Sequence, residues 1–459
     1  MHAPELIGYN VHPASDRESM LKSIGVKAIE DLFATIPSSL LLNQPLDLPA
    51  RLPEWKLERR FRELSGCNQT THEFQTFLGG GAYEHYIPET VRTIASRGEF
   101  LTAYTPYQPE MSQGTLRVLH DFQTLMAKLL GQPAVNCSVY DGATALAESS
   151  WMACRITGNK RLVVAANIWP EYQAVLETYM QGRGVELVIM PSEPTTGEID
   201  LAAMTSLVAE SPTAAVIAQS PNRYGVIESV AEITKCCHGA DTLAVVSCYP
   251  ISLGCLRSPG SNDTDIICCE AQPLGLELNA GGPYLGVIAT RQEFELHLPG
   301  RLVGVCDNLK GEPVLALVKE EREQHVARHK ATSHICSNQA LLALRTSVYL
   351  ATLGEQGFRR ISSLCAAKAR YLYDKLIAIK GIKSAKTGAF FNEFLINLPC
   401  PAGVILKMLR ENQIFGGIDF SEWEPSENHR LLIAVTEVKT REDLDQFVHH
   451  FQTALNAAT

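Results

Sequence analysis

Apolar residues recur at steps of three and four at Leu116, Leu119, Phe122, Leu125, Met126, Leu129 and Leu130, which predicts one amphipathic helix stopped by Gly131. Beyond it the pattern changes. Short continuous apolar runs at Arg161–Ala166, Val185–Met190, Thr213–Gln219, Thr242–Cys248, Asp265–Cys269 and Tyr284–Thr290 read as strands. The segments Tyr172–Gln181, Leu201–Ala209 and Ser229–His238 read as helices between them, and Ala143–Cys154 as a helix after the Asp141-Gly142 turn. Buried strands joined by helical crossovers predict a parallel or mixed sheet covered on both faces.

The last third has a different rhythm. Helices are expected at Gln339–Leu353, Gly357–Ile377, Gly403–Arg410 and Arg441–Ala454, with strands at Glu393–Leu398 and Leu431–Val435. Thr440 followed by Asp443 is a capping-box start for the final helix. At the other end, Pro13, Pro37, Pro45, Pro49 and Pro53 break the chain into short pieces, with helices expected at Ser19–Ile24 and Ala28–Phe33. The expected organisation is a helical arm (1–65), a large α/β domain with a mainly parallel sheet (66–335) and a small α+β domain (336–459).

The composition fits a globular chain. Of 459 residues, 46% are hydrophobic and 20% charged, which excludes a mostly disordered protein. Lys and Arg number 40 against 50 Asp and Glu, a net charge of −10 with no basic stripe, so no nucleic-acid partner is expected. No apolar run approaches the ~20 residues of a membrane span. Met1–Asn10 lacks the basic start and apolar stretch of a secretory signal, so a cytoplasmic protein with no membrane partner is expected. The 13 cysteines are odd in number and contain no C-x-x-C. They read as reduced and buried, and a zinc site is disfavoured for want of paired ligand spacing.

Four segments are more specific: Phe77-Leu-Gly-Gly-Gly-Ala-Tyr-Glu-His-Tyr-Ile-Pro88; Ala103-Tyr-Thr-Pro-Tyr-Gln-Pro-Glu-Met-Ser-Gln-Gly114; Glu270-Ala-Gln-Pro-Leu-Gly275 with Ala280-Gly-Gly-Pro-Tyr-Leu-Gly286; and Arg328-His-Lys-Ala-Thr-Ser-His-Ile-Cys-Ser-Asn-Gln339. Together they resemble the P-protein (glycine decarboxylase) of the glycine cleavage system, in the α-type or subunit 1 form of organisms that split it into two chains. The resemblance runs from the first helices to the last. It implies a type I fold, like that of aspartate aminotransferase, among pyridoxal-phosphate (PLP) enzymes. It also implies the reaction: glycine is decarboxylated and its aminomethyl group passes to the lipoyl arm of H-protein.

In that chemistry a lysine holds PLP as a Schiff base and an acid keeps the pyridine nitrogen protonated. Lys235 is the sole lysine between Lys160 and Lys310, and it falls inside a predicted helix. By resemblance, Gln272 stands where the cofactor-bearing sister chain has its lysine. The strand Thr242–Cys248 ends in Ser247-Cys248-Tyr249-Pro250, with no carboxylate for the ring nitrogen. The resemblance therefore implies a subunit with no covalently bound cofactor and no metal. It would work with a PLP-bearing β subunit, as an αβ pair or a dimer of such pairs, and with lipoylated H-protein on glycine. Two alternatives stand beside it: a non-catalytic scaffold or regulatory paralogue, and a self-sufficient PLP enzyme of another specificity.

Candidate shared-site or interface residues are Tyr83, His85, Tyr104, Thr105, Tyr107, Gln108, Asn222 and Gln272. Each has a plainer reading. Gly79-Gly80-Gly81 is a tight turn or an anion cradle, but not a P-loop, since no Gly-Lys-Ser/Thr follows. Tyr83, His85 and Tyr86 line a pocket or pack a loop. Tyr104, Tyr107 and Gln108, stiffened by Pro106 and Pro109, present polar groups or pack on the next helix. Glu110 reads as a salt-bridged loop acid rather than as a site residue, the other alternative. Asn222 contacts a ligand at the carboxyl end of the sheet or caps a turn. His325, His329 and His334 read as a basic helix end or an interface with an acidic partner, and Cys336 as a small buried apolar residue.

Overall fold

The computed structural model describes residues 12–458 apart from 43, 45, 280, 281, 319 and 337. The leader reading of Met1–Asn10 lies outside the described residues, as do Pro45, Ala280, Gly281 and Ser337 of the segments discussed above. Two compact units divide the chain after residue 69.

In the first unit, α1 (Ala14–Ile24) and α2 (Glu54–Ser65) flank short 3-10 turns at Ile29–Phe33 and Ser38–Leu40. None of these four elements has a buried residue. Helix α1 begins earlier than expected because Pro13 sits just before its first turn, where a missing N–H costs nothing, and it stops at Gly25 with φ +87°. Ala28–Phe33 forms a 3-10 turn rather than a helix. There the Asp31 carboxylate accepts the backbone N–H of Lys27 and of Ala28.

The second unit opens with short pieces, a strand at Gln75–Thr76 paired with Ile414–Phe415 and helical turns at Glu89–Ala95 and Gly98–Leu101, and then α3 (Gln113–Leu130), which buries Leu116, Leu119, Phe122, Met126 and Leu130 and ends at Gly131 with φ +73°. A seven-stranded sheet follows. Its strands and helices are β1 (Ala134–Val135), α4 (Gly142–Thr157), β2 (Arg161–Ala165), α5 (Pro170–Gln181), β3 (Glu186–Met190), α6 (Leu201–Glu210), β4 (Ala215–Ser220), α7 (Val230–His238), β5 (Leu243–Cys248), β6 (Ile266–Glu270) and β7 (Gly286–Thr290). The spatial order is β1-β7-β6-β5-β4-β2-β3. Strands β3, β2, β4, β5 and β6 run parallel, while β7 lies antiparallel to β6 and β1.

Alternation along the strands splits the core. In β6, Ile266 and Cys268 join Leu146, Val163 and Ile217 on one face; Ile267 and Cys269 join Phe122, Met126 and Tyr349 on the other. This is why a pair of adjacent cysteines can be buried without meeting a disulfide partner. All 13 cysteines are free thiols. The expectation that all are buried fails for Cys67, Cys255 and Cys306, which are exposed, and for Cys236 and Cys336, which are half-buried.

A hairpin, β8 (Val303–Asp307) with β9 (Pro313–Leu317), precedes a long helix, α8 (Ala340–Ile377), broken at Gly354 with φ +60°. The break is where sequence separated two helices. Up to Cys365, α8 packs on the large sheet; from Ala369 it packs on a smaller core. That core covers an antiparallel sheet of β10 (Lys383–Ser384), β11 (Glu393–Asn397), β12 (Ile418–Asp419) and β13 (Arg430–Ala434), in the order β10-β11-β13-β12. Helices α9 (Ala402–Glu411) and α10 (Arg441–Ala458) complete it, and Thr440 and Asp443 make the expected capping box on α10.

Candidate functional site

The parallel strands change direction of succession between β2 and β4, so their carboxyl ends open the crevice where such sheets receive ligands. A cavity lies there, lined by Trp169 after β2, Gln219 and Pro221 from β4, Ser247 and Tyr249 from β5, and Glu270 from β6. Gly81 and Tyr83 cover it from the glycine loop, and Asn392 and Glu393 from the start of β11. Its open volume is about 30 Å³, enough for ordered water and far below the roughly 300–1,000 Å³ of small-molecule pockets. No lysine lines it among the described residues. Lys235 sits exposed on α7.

Gln272 is buried beside this cavity and commits its amide to backbone. Its Oε1 accepts the Tyr83 N–H at 3.0 Å, and its Nε2 donates to the Tyr83 and Leu276 carbonyls, each at 3.0 Å. The pairing with Tyr83 imitates one rung of a β-ladder, so the side chain splints the glycine loop to the strand ends. The Gln272 N–H donates to Glu270 Oε1 at 2.8 Å. Glu270 also accepts the N–H of Leu285 at 2.9 Å and, through Oε2, that of Gly142 at 2.9 Å. Burial pushes its carboxyl up to about 7, against these three donors, which favour the ionised form.

A second carboxylate holds the loop from the other side. Glu393 Oε1 accepts the Gly80 N–H at 2.9 Å, and Oε2 accepts the Tyr83 hydroxyl at 3.0 Å. Burial raises this acid to about 7 as well, and burial together with Glu393 lifts the Tyr83 phenol well above its ordinary range. Gly80 and Gly81 have φ of +74° and +105°, a turn that side chains resist. The glycine triplet is thus a tight turn whose N–H grips a carboxylate of its own chain.

His85 is buried next to it. Its Nδ1 lies 2.7 Å from Glu437 Oε2 and its Nε2 2.5 Å from the Tyr249 hydroxyl. Burial would raise Glu437, but the His85 charge and the N–H of Tyr86 hold it below the usual carboxylate range. Cys365 donates to the same carboxylate at 3.4 Å. His85, Cys365 and Glu437 are the one trio with metal-ligand spacing among the described residues. They are bonded to one another rather than left open.

The remaining candidates fall into two other places. Asn222 is fully buried in a turn: its Oδ1 accepts the N–H of Tyr224 and Val226, and its Nδ2 donates to the Gly197 carbonyl and to Glu228. Thr105 and Tyr107 gather around Arg301, which donates to Thr105 Oγ1 at 2.9 Å and to Cys336 Sγ at 3.3 Å and lies 5.5 Å from the Tyr107 ring. The Tyr107 hydroxyl is 3.3 Å from Cys336 Sγ, and the Cys336 thiol is lowered by that bond and by Arg301. Cys336 is half-buried and polar in its contacts, not the apolar filler expected. Tyr104 is 76% exposed, and Gln108 is exposed ahead of the Pro109–Met111 turn. None of residues 104–108 lines the cavity. The second and fourth signature segments therefore meet each other, and the first and third meet at the strand ends.

Sequence reasoning missed Glu393, Glu437 and Arg301. Glu393 and Glu437 carried no local signal, since their partners lie 313 and 352 residues away. Glu270 was missed as well, although it is the lone carboxylate closing an otherwise apolar strand.

A family model described as glycine cleavage system P-protein matches residues 8–451. The chain is 44% identical over 434 residues to a probable glycine dehydrogenase (decarboxylating) subunit 1 of Chlorobium chlorochromatii, covering 95% of this chain and 96% of the relative. It is 42% identical over 435 residues to the protein of the same name in Moorella thermoacetica, covering 95% and 97%. Among solved structures it matches glycine decarboxylase (P-protein) of the glycine cleavage system in inhibitor-bound form, with TM-score 0.88, 37% identity and coverage of 98% and 100%. Glutamate decarboxylase of Lactobacillus brevis, at 14% identity and TM-score 0.68 over 92% of this chain and 96% of that one, shares the fold.

Proposed function

Because the chain belongs to the glycine cleavage system P-protein family, with the subunit 1 kind, we propose that it is the α subunit of a glycine decarboxylase whose PLP is carried by a lysine-bearing β subunit. The pair decarboxylates glycine and passes the aminomethyl group to the lipoyl arm of H-protein. This chain alone is inactive. It contributes a fixed body and, through Tyr104, Thr105, Tyr107 and Gln108, exposed or half-exposed polar groups for the surface shared with its partner.

The observation that carries this reading is the state of Gln272. A primary amide forms no Schiff base, and this one is hydrogen-bonded at both ends to the Tyr83 backbone. The neighbours agree with it. Ser247 and Cys248 end β5 without a carboxylate, and Glu270 and Glu393 turn two carboxyl groups toward the space that an anionic cofactor would have to enter. These residues do not fit PLP, and no step of the reaction is routed through this cavity.

The test is exchange of labelled bicarbonate into the carboxyl group of glycine, with lipoylated H-protein present. Exchange is expected when this chain and the lysine-bearing subunit are both supplied, and not with either alone. Equal exchange by the partner without this chain would overturn the proposal in favour of a scaffold.

A further inference from the structure

Helix α4 has 16 residues, and its first N–H groups have no partner within the helix. With the helix dipole behind them, they make a place for an anion at the carboxyl edge of the sheet. That place is taken. The Thr144 N–H goes to the Asp141 side chain at 2.7 Å, and the Gly142 N–H goes to Glu270 at 2.9 Å. All three partners of Glu270 are backbone N–H donors, an arrangement built around negative charge. The fit is close: a Cβ at position 142 would lie 2.2 Å from the Tyr172 hydroxyl and 2.8 Å from Glu270 Cβ. The glycine loop repeats the device, with the Gly80 N–H on Glu393.

A separate feature shows that the cavity keeps a donor to spare. Asn392, 2% exposed, lines it, and its Nδ2 has no hydrogen-bond partner. A buried amide N–H left unpaired is costly, and here it borders the same space as Glu270.

We infer that this chain fills its own anion site: the Glu270 carboxylate sits at the N-terminus of α4 where a phosphate monoester would bind, and so shuts phosphorylated ligands out of the strand ends. The inference rests on the subunit reading above and gives it a physical cause beyond the missing lysine. A phosphate brought to α4 would have to displace Glu270 from three donors and lie beside Glu393.

The full chain and its Glu270→Ala and Glu270→Gln variants test this at pH 8, with inorganic phosphate and formate as probes. Labelled phosphate is followed by equilibrium dialysis and folding by thermal melting. The parent chain is expected to bind no stoichiometric phosphate at millimolar concentration and to melt at the same temperature in phosphate as in chloride of equal ionic strength. Glu270→Ala should melt lower than the parent, recover with formate or phosphate but not chloride, and bind one phosphate per chain at least about tenfold more tightly than the parent. Glu270→Gln removes the charge and keeps the shape, so its phosphate affinity should also rise, by less; it carries the test if the alanine variant fails to fold. Stoichiometric phosphate on the parent, or a folded variant no better than the parent, overturns the inference. If that happens while bicarbonate exchange still needs both chains, the subunit reading stands without it; covalent PLP capture by the isolated parent would remove both.

Discussion

Replacing Gln272 by leucine would nearly keep its volume and remove all of its side-chain hydrogen bonds. The Tyr83 N–H and the carbonyls of Tyr83 and Leu276 would then be buried without partners. Each such group costs about 1–3 kcal/mol, and partial relaxation should leave a net loss of about 3 kcal/mol in denaturant unfolding. A loss under about 0.5 kcal/mol would mean that the glycine loop does not depend on this splint. At this scale the sequence was informative wherever a residue's meaning was local. Gln272 stood out by its place in a signature segment, and Asn222 as a turn-former next to Gly225. What it holds could not be read: the partner of Gln272 is 189 residues away. His85 and Tyr83 were legible as candidates, but not the acids that orient them.

Where elements meet, small residues and buried acids decide the packing. A Cβ on Gly79 would lie 1.9 Å from Glu393 Oε1 and 2.7 Å from Ala434 Cβ. Gly79→Ala must therefore push the glycine loop off β11 or turn Glu393 away from Gly80 and Tyr83. We expect a loss of about 2–4 kcal/mol, read as a lowered melting temperature, and a smaller effect from Gly98→Ala, where nothing lies within 4 Å.

Three acids near element ends, Glu228, Glu270 and Glu393, are pushed up to about 7 by burial, from an ordinary value of 4.5. Each holds its proton more tightly folded than unfolded. The folded chain therefore binds extra protons between about pH 4.5 and 7, and stability falls as pH rises through that window. Glu437 works in the opposite sense, because His85 holds its carboxyl down; its contribution is present above the ordinary glutamate range and is lost as the pH falls through its folded value. Melting should thus be lower at pH 8 than at pH 6, and Glu393→Gln should flatten that slope. An unchanged slope in the variant would show that Glu393 does not titrate there.

The elements themselves were readable in proportion to their burial. Strands β2, β4, β5 and β6 are buried along nearly all their length and gave unbroken apolar runs. The hairpin of β8 and β9 went unread because Gly304 to Glu312 is largely exposed and has no apolar alternation to follow. Helix α2 went unread because Pro49 and Pro53 suggested turns, although Pro53 only precedes its first residue.

For the whole molecule, the type I fold and the family were legible because four long segments are each specific. The site was legible in half. Two of the segments close a cavity that the chain fills with its own side chains, while the other two bring Thr105, Tyr107, Arg301 and Cys336 together at a partly exposed place. On the proposed reading a second polypeptide completes that surface, and a sequence shows such residues without what they face. Arg301→Ala removes the bonds to Thr105 and Cys336 from that place. In the co-expressed pair it is expected to lower bicarbonate exchange by about tenfold or more; because Arg301 is itself buried, the variant should also melt lower, so exchange is read well below its melting temperature, and full exchange there would take these loops out of the shared surface.

Central to the proposed function is the claim that the coenzyme belongs to the partner. Borohydride reduction in the presence of PLP, applied to the isolated chain and to the co-purified pair and followed by peptide mapping, tests it directly. The expected result is a single pyridoxyl-labelled lysine in the sister chain and no specific label in this one. A single lysine of this chain, labelled to one equivalent in isolation, would contradict it.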